Sequence, residues 1–345
     1  MRILSLNDIS YPDMRLSNLM LKYCILKAGL VVSLILLTGC QTPPQTKALL
    51  GEPPLITNHH LINQVPFYPQ QQYFCGPTTL AEVANFYDLE KSPEAIAPAT
   101  FVPGLDGSLQ IEMVAASRQL GMLAYAQRGN MRQLLSLLAE DIPVIVLQNN
   151  SIAWLPQWHY AVAIGYDLAN QEVILHTGVT EEHRLNFATF ERTWQRGDYW
   201  MLVMLPPSQS SAQLEPFIYT KACQDLLDTG QRDAGITALQ TAITQWPDYW
   251  LPYFLLANHY LSDAPETAVK WYKKGYAYGK KEISYLNNYA YALAKNHCFA
   301  EASLLVDKAL SLAPNDVNVQ DTQQEILQNA QRQTNQQCAH FTIEE

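Results

Sequence analysis

In the C-terminal third of the chain the pair Ala242…Pro247 recurs as Ala309…Pro314, 67 positions further on. That is close to twice 34 residues, the period of stacked two-helix units. Counting back from Pro314 puts the small residues Ala302 and Ala309 at helix–helix contacts, and Leu286, Tyr289 and Ala290 on the packing face of the preceding helix. The same count from Pro247 selects Tyr219, Ala222, Cys223, Leu226 and Ala242. A third unit from Trp250 to Lys281 fits between them, with one residue deleted at the turn Ser262-Asp263-Ala264-Pro265. One such unit cannot bury its apolar face alone, and about three make a stable stack. Residues 215–330 are therefore expected to be an all-α repeat domain, with an ordinary helical bundle as the alternative. A polar tail, 331–345, follows.

The N-terminus bears on the compartment. Lys22 and Lys27 precede an apolar run from Ala28 to Leu37, and Leu37-Thr38-Gly39-Cys40 closes it. A positive segment, a short apolar segment and a small-residue cleavage site read as a secretory signal over 1–39. The same four residues fit a bacterial lipobox, with Cys40 diacylated; Gln41 follows, and the absence of Asp there resembles lipoproteins sent on to the outer membrane. The alternative is an ordinary signal peptide. Asp8 and Asp13 suit a signal poorly, so translation from Met14 or Met20 stays open. Removing residues 1–39 takes away Arg2, Arg15, Lys22 and Lys27 against Asp8 and Asp13, and moves the net charge from −10 to −12. Such a surface does not suit nucleic acid. The expectation is a lipid-anchored protein of the bacterial cell envelope, at the outer membrane and facing the periplasm.

Pro-containing polar stretches at 40–60 and 206–214 are expected to be a tether and an interdomain linker. Between them, 61–205 reads as α followed by β. Leu80, Val83, Ala84 and Tyr87 make one helical face directly after Cys75. Helices are expected from Ser108, as N-cap, to Leu120, with Gly121 ending it, and from Met131 to Glu140. Strands are expected at 143–147, 160–166, 172–176 and 199–205. Helices before strands indicate an α+β domain with an antiparallel sheet.

Cys75 sits where a polar loop enters a helix, and His159 heads an apolar strand. A thiol becomes nucleophilic as thiolate, which a helix N-terminus and an imidazole both favour. His159 can take that proton and return it to a leaving amine. Gly76 lets a substrate carbonyl approach closely, and Pro77 suits the first helical turn. A Gln shortly before the Cys can donate to an oxyanion beside the Cys75 N–H. Trp154 and Trp158 flank His159 and read equally as cleft wall or as core. Cys223, Cys298 and Cys338 show no metal or dense disulfide spacing, although a bridge among them stays open. His59, His60 and His183 fit no ligand spacing. No metal or cofactor is expected.

Val65-Pro66-Phe67-Tyr68-Pro69-Gln70, Cys75-Gly76-Pro77-Thr78-Thr79-Leu80 and His159-Tyr160-Ala161-Val162-Ala163-Ile164-Gly165-Tyr166 together resemble the bacteriocin-processing, double-glycine leader peptidases. The closer resemblance is to stand-alone lipoprotein forms with C-terminal tetratricopeptide repeats. It implies a papain-like cysteine peptidase fold with Cys75 as nucleophile, His159 as base and Gln70 at the oxyanion. Gln70 stands one position nearer the Cys than in transporter-linked relatives, which leaves Gln71 as the other donor. The family orients its His with an Asp or Asn about sixteen residues on, where this chain has Val173-Ile174-Leu175-His176-Thr177-Gly178. His176 is the candidate orienter, with Asp167, water or no third group as alternatives.

The expected function is hydrolysis of peptide bonds in a peptide or protein substrate, the repeats docking substrate or a protein partner. A catalytically silent peptide-binding scaffold is the alternative from another class. Hydrolysis or transfer of a non-protein amide is a third.

Overall fold

The computed structural model describes residues 27, 41–102, 104, 107–152, 154–332 and 338. The expected signal segment, apart from Lys27, and Cys40 lie outside the described residues. Among the described residues no helix is long and apolar enough to cross a membrane.

The chain folds as expected, an α+β domain followed by all-α repeats. The first part runs α1 (Pro44–Gly51), β1 (His59–Leu61), α2 (Cys75–Phe86), α3 (Pro93–Thr100), α4 (Gln110–Gln119), β2 (Leu123–Arg128), α5 (Met131–Ala139) and β3 (Val144–Asn149). It continues with β4 (Trp158–Asp167), β5 (Glu172–Thr177), β6 (Thr180–Asn186), α6 (Phe187–Arg196) and β7 (Trp200–Leu205). All strand pairs are antiparallel, in the order β2-β7-β3-β4-β5-β6, with β1 alongside the far end of β4. Strand β3 is buried throughout, and α2 and α5 pack on β4. Gly165 makes room for β1, since a Cβ there would stand 2.5 Å from the His60 carbonyl oxygen. Gly121, at φ +75°, ends α4 as expected. Ser108 does not cap that helix: Leu109 holds the N-cap position without a side-chain bond.

The repeats are α7 (Pro216–Asp228) with α8 (Arg232–Gln245), α9 (Trp250–Tyr260) with α10 (Pro265–Gly279), and α11 (Ile283–Lys295) with α12 (Phe299–Leu312). Helix α13 (Val317–Arg332) packs on both helices of the last pair. The pairs begin at 216, 250 and 283, spacings of 34 and 33 residues. Ala242, Ala302 and Ala309 are fully buried, as their contact positions require.

The two apolar cores meet at α9, which gives Leu256 to the first and Tyr253 and Ala257 to the second. Leu214, Tyr219, Ala222, Cys223, Leu226, Ala238 and Leu239 belong to the core that also holds the sheet. A Tyr-rich core of Tyr253, Tyr272, Tyr276, Tyr285 and Tyr289 serves the later repeats. Residues 206–214 connect the two parts and are themselves held. The Ser211 hydroxyl donates to Glu140 Oε2 at 2.6 Å, and Gln133 Nε2 donates to the Gln213 carbonyl at 2.7 Å. Arg118 and Asp225 pair across the junction at 2.9 Å.

The stretch expected as a free tether is also docked. In α1 the Gln45 N–H donates to Glu191 Oε1 at 2.9 Å and the Thr46 hydroxyl to Glu191 Oε2 at 2.6 Å. Leu49 is buried, and Arg192 Nη2 donates to the Gln41 carbonyl at 2.9 Å. The physical reason is Glu191: a fully buried carboxylate needs donors, and α1 supplies them. Cys298 and Cys338 form a disulfide, which fixes a point of the polar tail, and Cys223 stays buried and free.

Candidate active site

Helix α2 begins at Cys75, and its first turn holds Pro77, which has no N–H to leave unpaired. The loop ahead of it turns through Tyr73 in the left-handed region, at φ 67°. Strand β4 brings His159 alongside Gln148 of β3. Cys75 and His159 then line one cleft of about 850 Å³, together with Gln70, Gln71, Ser108, Trp158, Tyr160 and Gly178.

Burial pushes the Cys75 thiol up, against the lowering effect of the backbone N–H groups of Tyr160, Gly76 and Cys75 itself. The Tyr160 amide at the sulfur places the thiol beside the residue that follows His159. Burial lowers the His159 imidazole. Both shifts favour neutral thiol and neutral imidazole at rest, so the proton would cross as the sulfur attacks.

Gln70 is the glutamine turned inward. Both polar atoms of its carboxamide are buried without a partner among the described residues, while Gln71 is exposed. Its backbone N–H donates to the Gly178 carbonyl at 2.8 Å. A buried amide without a partner costs free energy, and one that lines a cleft can recover it by donating to a bound carbonyl. Ser108 Oγ is likewise buried and unpartnered at the cleft, pressed against Gly76. Sequence reasoning placed Ser108 at a helix end. Trp158, 53% exposed, stands in the cleft wall, and Trp154, 81% exposed, is likewise no part of the core.

His176 does not orient His159. Its ring is buried against Phe67, Nε2 faces the Val65 carbonyl at 3.1 Å, and Nδ1 accepts from the Glu182 N–H at 3.3 Å. Strand residues alternate faces, and His176 lies on the face away from the cleft. Asp167 is excluded by distance, since it ends β4 eight residues from His159, about 26 Å at 3.3 Å per residue. The group that meets His159 is Thr177, whose Oγ1 lies 2.7 Å from Nε2. Thr177 lies within the stretch expected to hold the orienter but carried no assigned role. Among the described residues no cluster of three or more His, Cys, Asp or Glu could hold a metal ion.

Behind the cleft, α2 buries Glu82 completely. Oε1 accepts from the Tyr68 N–H at 3.1 Å, and Oε2 has no partner among the described residues. Desolvation raises this carboxyl from 4.5 to about 8. The folded protein therefore holds a proton that the unfolded chain has lost, and stability falls as pH rises from about 4.5 to about 8. The slope for this one group is about 1.4 kcal/mol per pH unit inside that window. Urea unfolding of Glu82→Gln at pH 5 and pH 8 should show a smaller difference than wild type. An equal difference in both proteins would show that Glu82 is not the titrating group.

Residues 62–199 match the model of the C39-like peptidase family. A protein described as a C39-like peptidase from Bacillus anthracis is similar at 15% identity, covering 45% of this chain and 100% of that one, with a TM-score of 0.37. The peptidase domain of Streptococcus ComA, a bifunctional ABC transporter, is similar at 22% identity, covering 41% of this chain and 98% of that one, TM-score 0.35. The first TPR domain of human RPAP3 is similar at 14% identity, covering 34% of this chain and 93% of that one, TM-score 0.32. No curated protein matches the chain. The match over 62–199, the cleft between α2 and β4 and the three helix pairs at tetratricopeptide spacing together describe a chain that joins a C39-like peptidase domain to tetratricopeptide-like repeats.

Proposed function

We propose that this protein is a lipid-anchored cysteine peptidase of the bacterial cell envelope, with Cys75 as nucleophile, His159 as general base and Gln70 as oxyanion donor. The observation that carries this reading is the convergence of a free thiol at a helix N-terminus, an imidazole and an inward-turned, unpartnered amide on one cleft. As Sγ attacks the scissile carbonyl carbon, His159 takes the thiol proton and the carbonyl π pair moves onto oxygen. The Gln70 Nε2–H and Cys75 N–H donate to that oxyanion. Collapse breaks the C–N bond, and the imidazolium gives its proton to the departing amine. Water then adds to the thioester carbonyl while His159 takes its proton; collapse breaks the C–S bond, the imidazolium returns the proton to sulfur, and the carboxylic acid leaves.

The Cys298–Cys338 bridge supports an oxidising compartment, in line with export by the N-terminal segment and lipidation at Cys40. The repeats would recruit the protein substrate or a partner.

The test is iodoacetamide alkylation of Cys75 across pH, read on the Cys75 peptide by mass spectrometry in the full-length chain, with His159→Ala beside it. In wild type the rate should rise through the His159 ionisation, below the ordinary histidine value of about 6.5. In His159→Ala it should rise only at or above the free-thiol value of about 8.5. Identical profiles would remove His159 as base and favour a catalytically silent, peptide-binding domain.

A further inference from the structure

Among the described residues the His159 ring has one hydrogen-bond partner, a hydroxyl at Nε2. The β4–β5 register explains why it is Thr177. Val162 faces His176, so continuing the ladder sets Thr177 beside Ala161, on the pleat face that Ala161 shares with His159. The two side chains are then diagonal neighbours across the pair, within reach of each other. The next residue does related work. Gly178, at φ +57°, turns the chain towards β6, and its carbonyl accepts the Gln70 N–H. One tight turn thus holds both the imidazole and the residue that carries the unpartnered amide.

We propose that Thr177 is the positioning residue of this site: its hydroxyl oxygen accepts the Nε2 proton of His159 and fixes the tautomer whose Nδ1 lone pair is left for the thiol proton. The inference rests on the reading of His159 as base. It assigns to a neutral hydroxyl the task that an acid or amide would otherwise perform. A hydroxyl orients the ring but brings no charge to stabilise an imidazolium. Burial lowers His159 as well, so the pair is a general-base couple rather than a standing ion pair. Replacing the hydroxyl by a carboxylate would convert one into the other.

The experiment uses the full-length chain and two readouts. Nitrogen-15 NMR of histidine-labelled protein, with the His159 signal assigned through His159→Gln, should show protonated Nε2 and bare Nδ1 in wild type. It should show a mixture of tautomers in Thr177→Val, which keeps the side-chain shape. Cys75 alkylation at pH 7 should slow about tenfold in Thr177→Val, the worth of one well-made hydrogen bond, and stay within about twofold of wild type in Thr177→Ser. Thr177→Asp should move the acid limb of the alkylation profile to higher pH, because a carboxylate favours the imidazolium. Protonated Nδ1 in wild type, or wild-type tautomer and rate in Thr177→Val, would overturn the proposal while His159→Ala still slows alkylation. If His159→Ala alkylates like wild type, the base reading falls and this proposal with it.

Discussion

Replacing Gln70 by Ala should lower the turnover of a cleaved peptide by about 10²–10³-fold, the usual consequence of deleting one oxyanion donor. The substrate for this measurement would come from incubating the full-length chain with a peptide library and identifying products by mass spectrometry, with Cys75→Ala as the inactive baseline. The informative contrast is with alkylation. Iodoacetamide is attacked at a saturated carbon and no oxyanion forms, so Gln70→Ala should alkylate within about twofold of wild type. A variant that loses turnover but keeps thiol reactivity has lost stabilisation of the tetrahedral intermediate and little else. Gln71→Ala should change neither quantity, since Gln71 is exposed. Turnover preserved in Gln70→Ala and lost in Gln71→Ala would reassign the oxyanion donor. Preservation in both would leave the backbone amides to act alone.

Loss of the Cys298–Cys338 bridge is expected to be the largest single change in stability. The bridge spans 40 residues of sequence, and closing a loop of that length stabilises by about 4 kcal/mol on chain-entropy grounds. The effect should be local. Cys298 and Cys338 belong to the Tyr-rich core of the later repeats, whereas the sheet shares its core with the first repeat. In Cys298→Ala with Cys338→Ala, amide hydrogen exchange should accelerate by up to about 10³-fold across α9–α13. Exchange in β3, β4 and β7 should stay near the wild-type rate. Uniform acceleration throughout the chain would mean that the two cores unfold as one. No acceleration anywhere would mean that the tail contributes nothing to the repeats.

The repeats were the most legible part of the sequence because their contacts are periodic and mostly local: Ala242 and Ala309 had to be small wherever the rest of the chain lay. Cys75, His159 and Gln70 were legible as a set, and the fold brings all three to one cleft. What sequence missed depended on pairing between distant segments. His176 was the candidate orienter because the stretch about sixteen residues after His159 holds no Asp or Asn. A shift of one residue along a strand changes the face of the sheet, and only the β4–β5 ladder decides between 176 and 177. Strand β6 is absent from the expected strands because it is an edge with mostly exposed side chains and carries no apolar alternation. The buried Glu191 carries no sequence signal that its donors lie in the backbone some 145 residues away. Composition at 40–60 suggested a solvated chain for the same reason.

That docked segment has a mechanical consequence. A free chain of 20 residues would let the domain roam about 25 Å from its anchor. Here the carbonyl of Gln41 is already clasped by Arg192 and the next turn is sealed by Glu191. With the lipid on Cys40, as proposed, the leash has almost no slack, about 4 Å per residue of chain at most. The catalytic cleft would then ride at one altitude above the bilayer, so that how far a protein projects from the membrane becomes part of what selects it for cleavage.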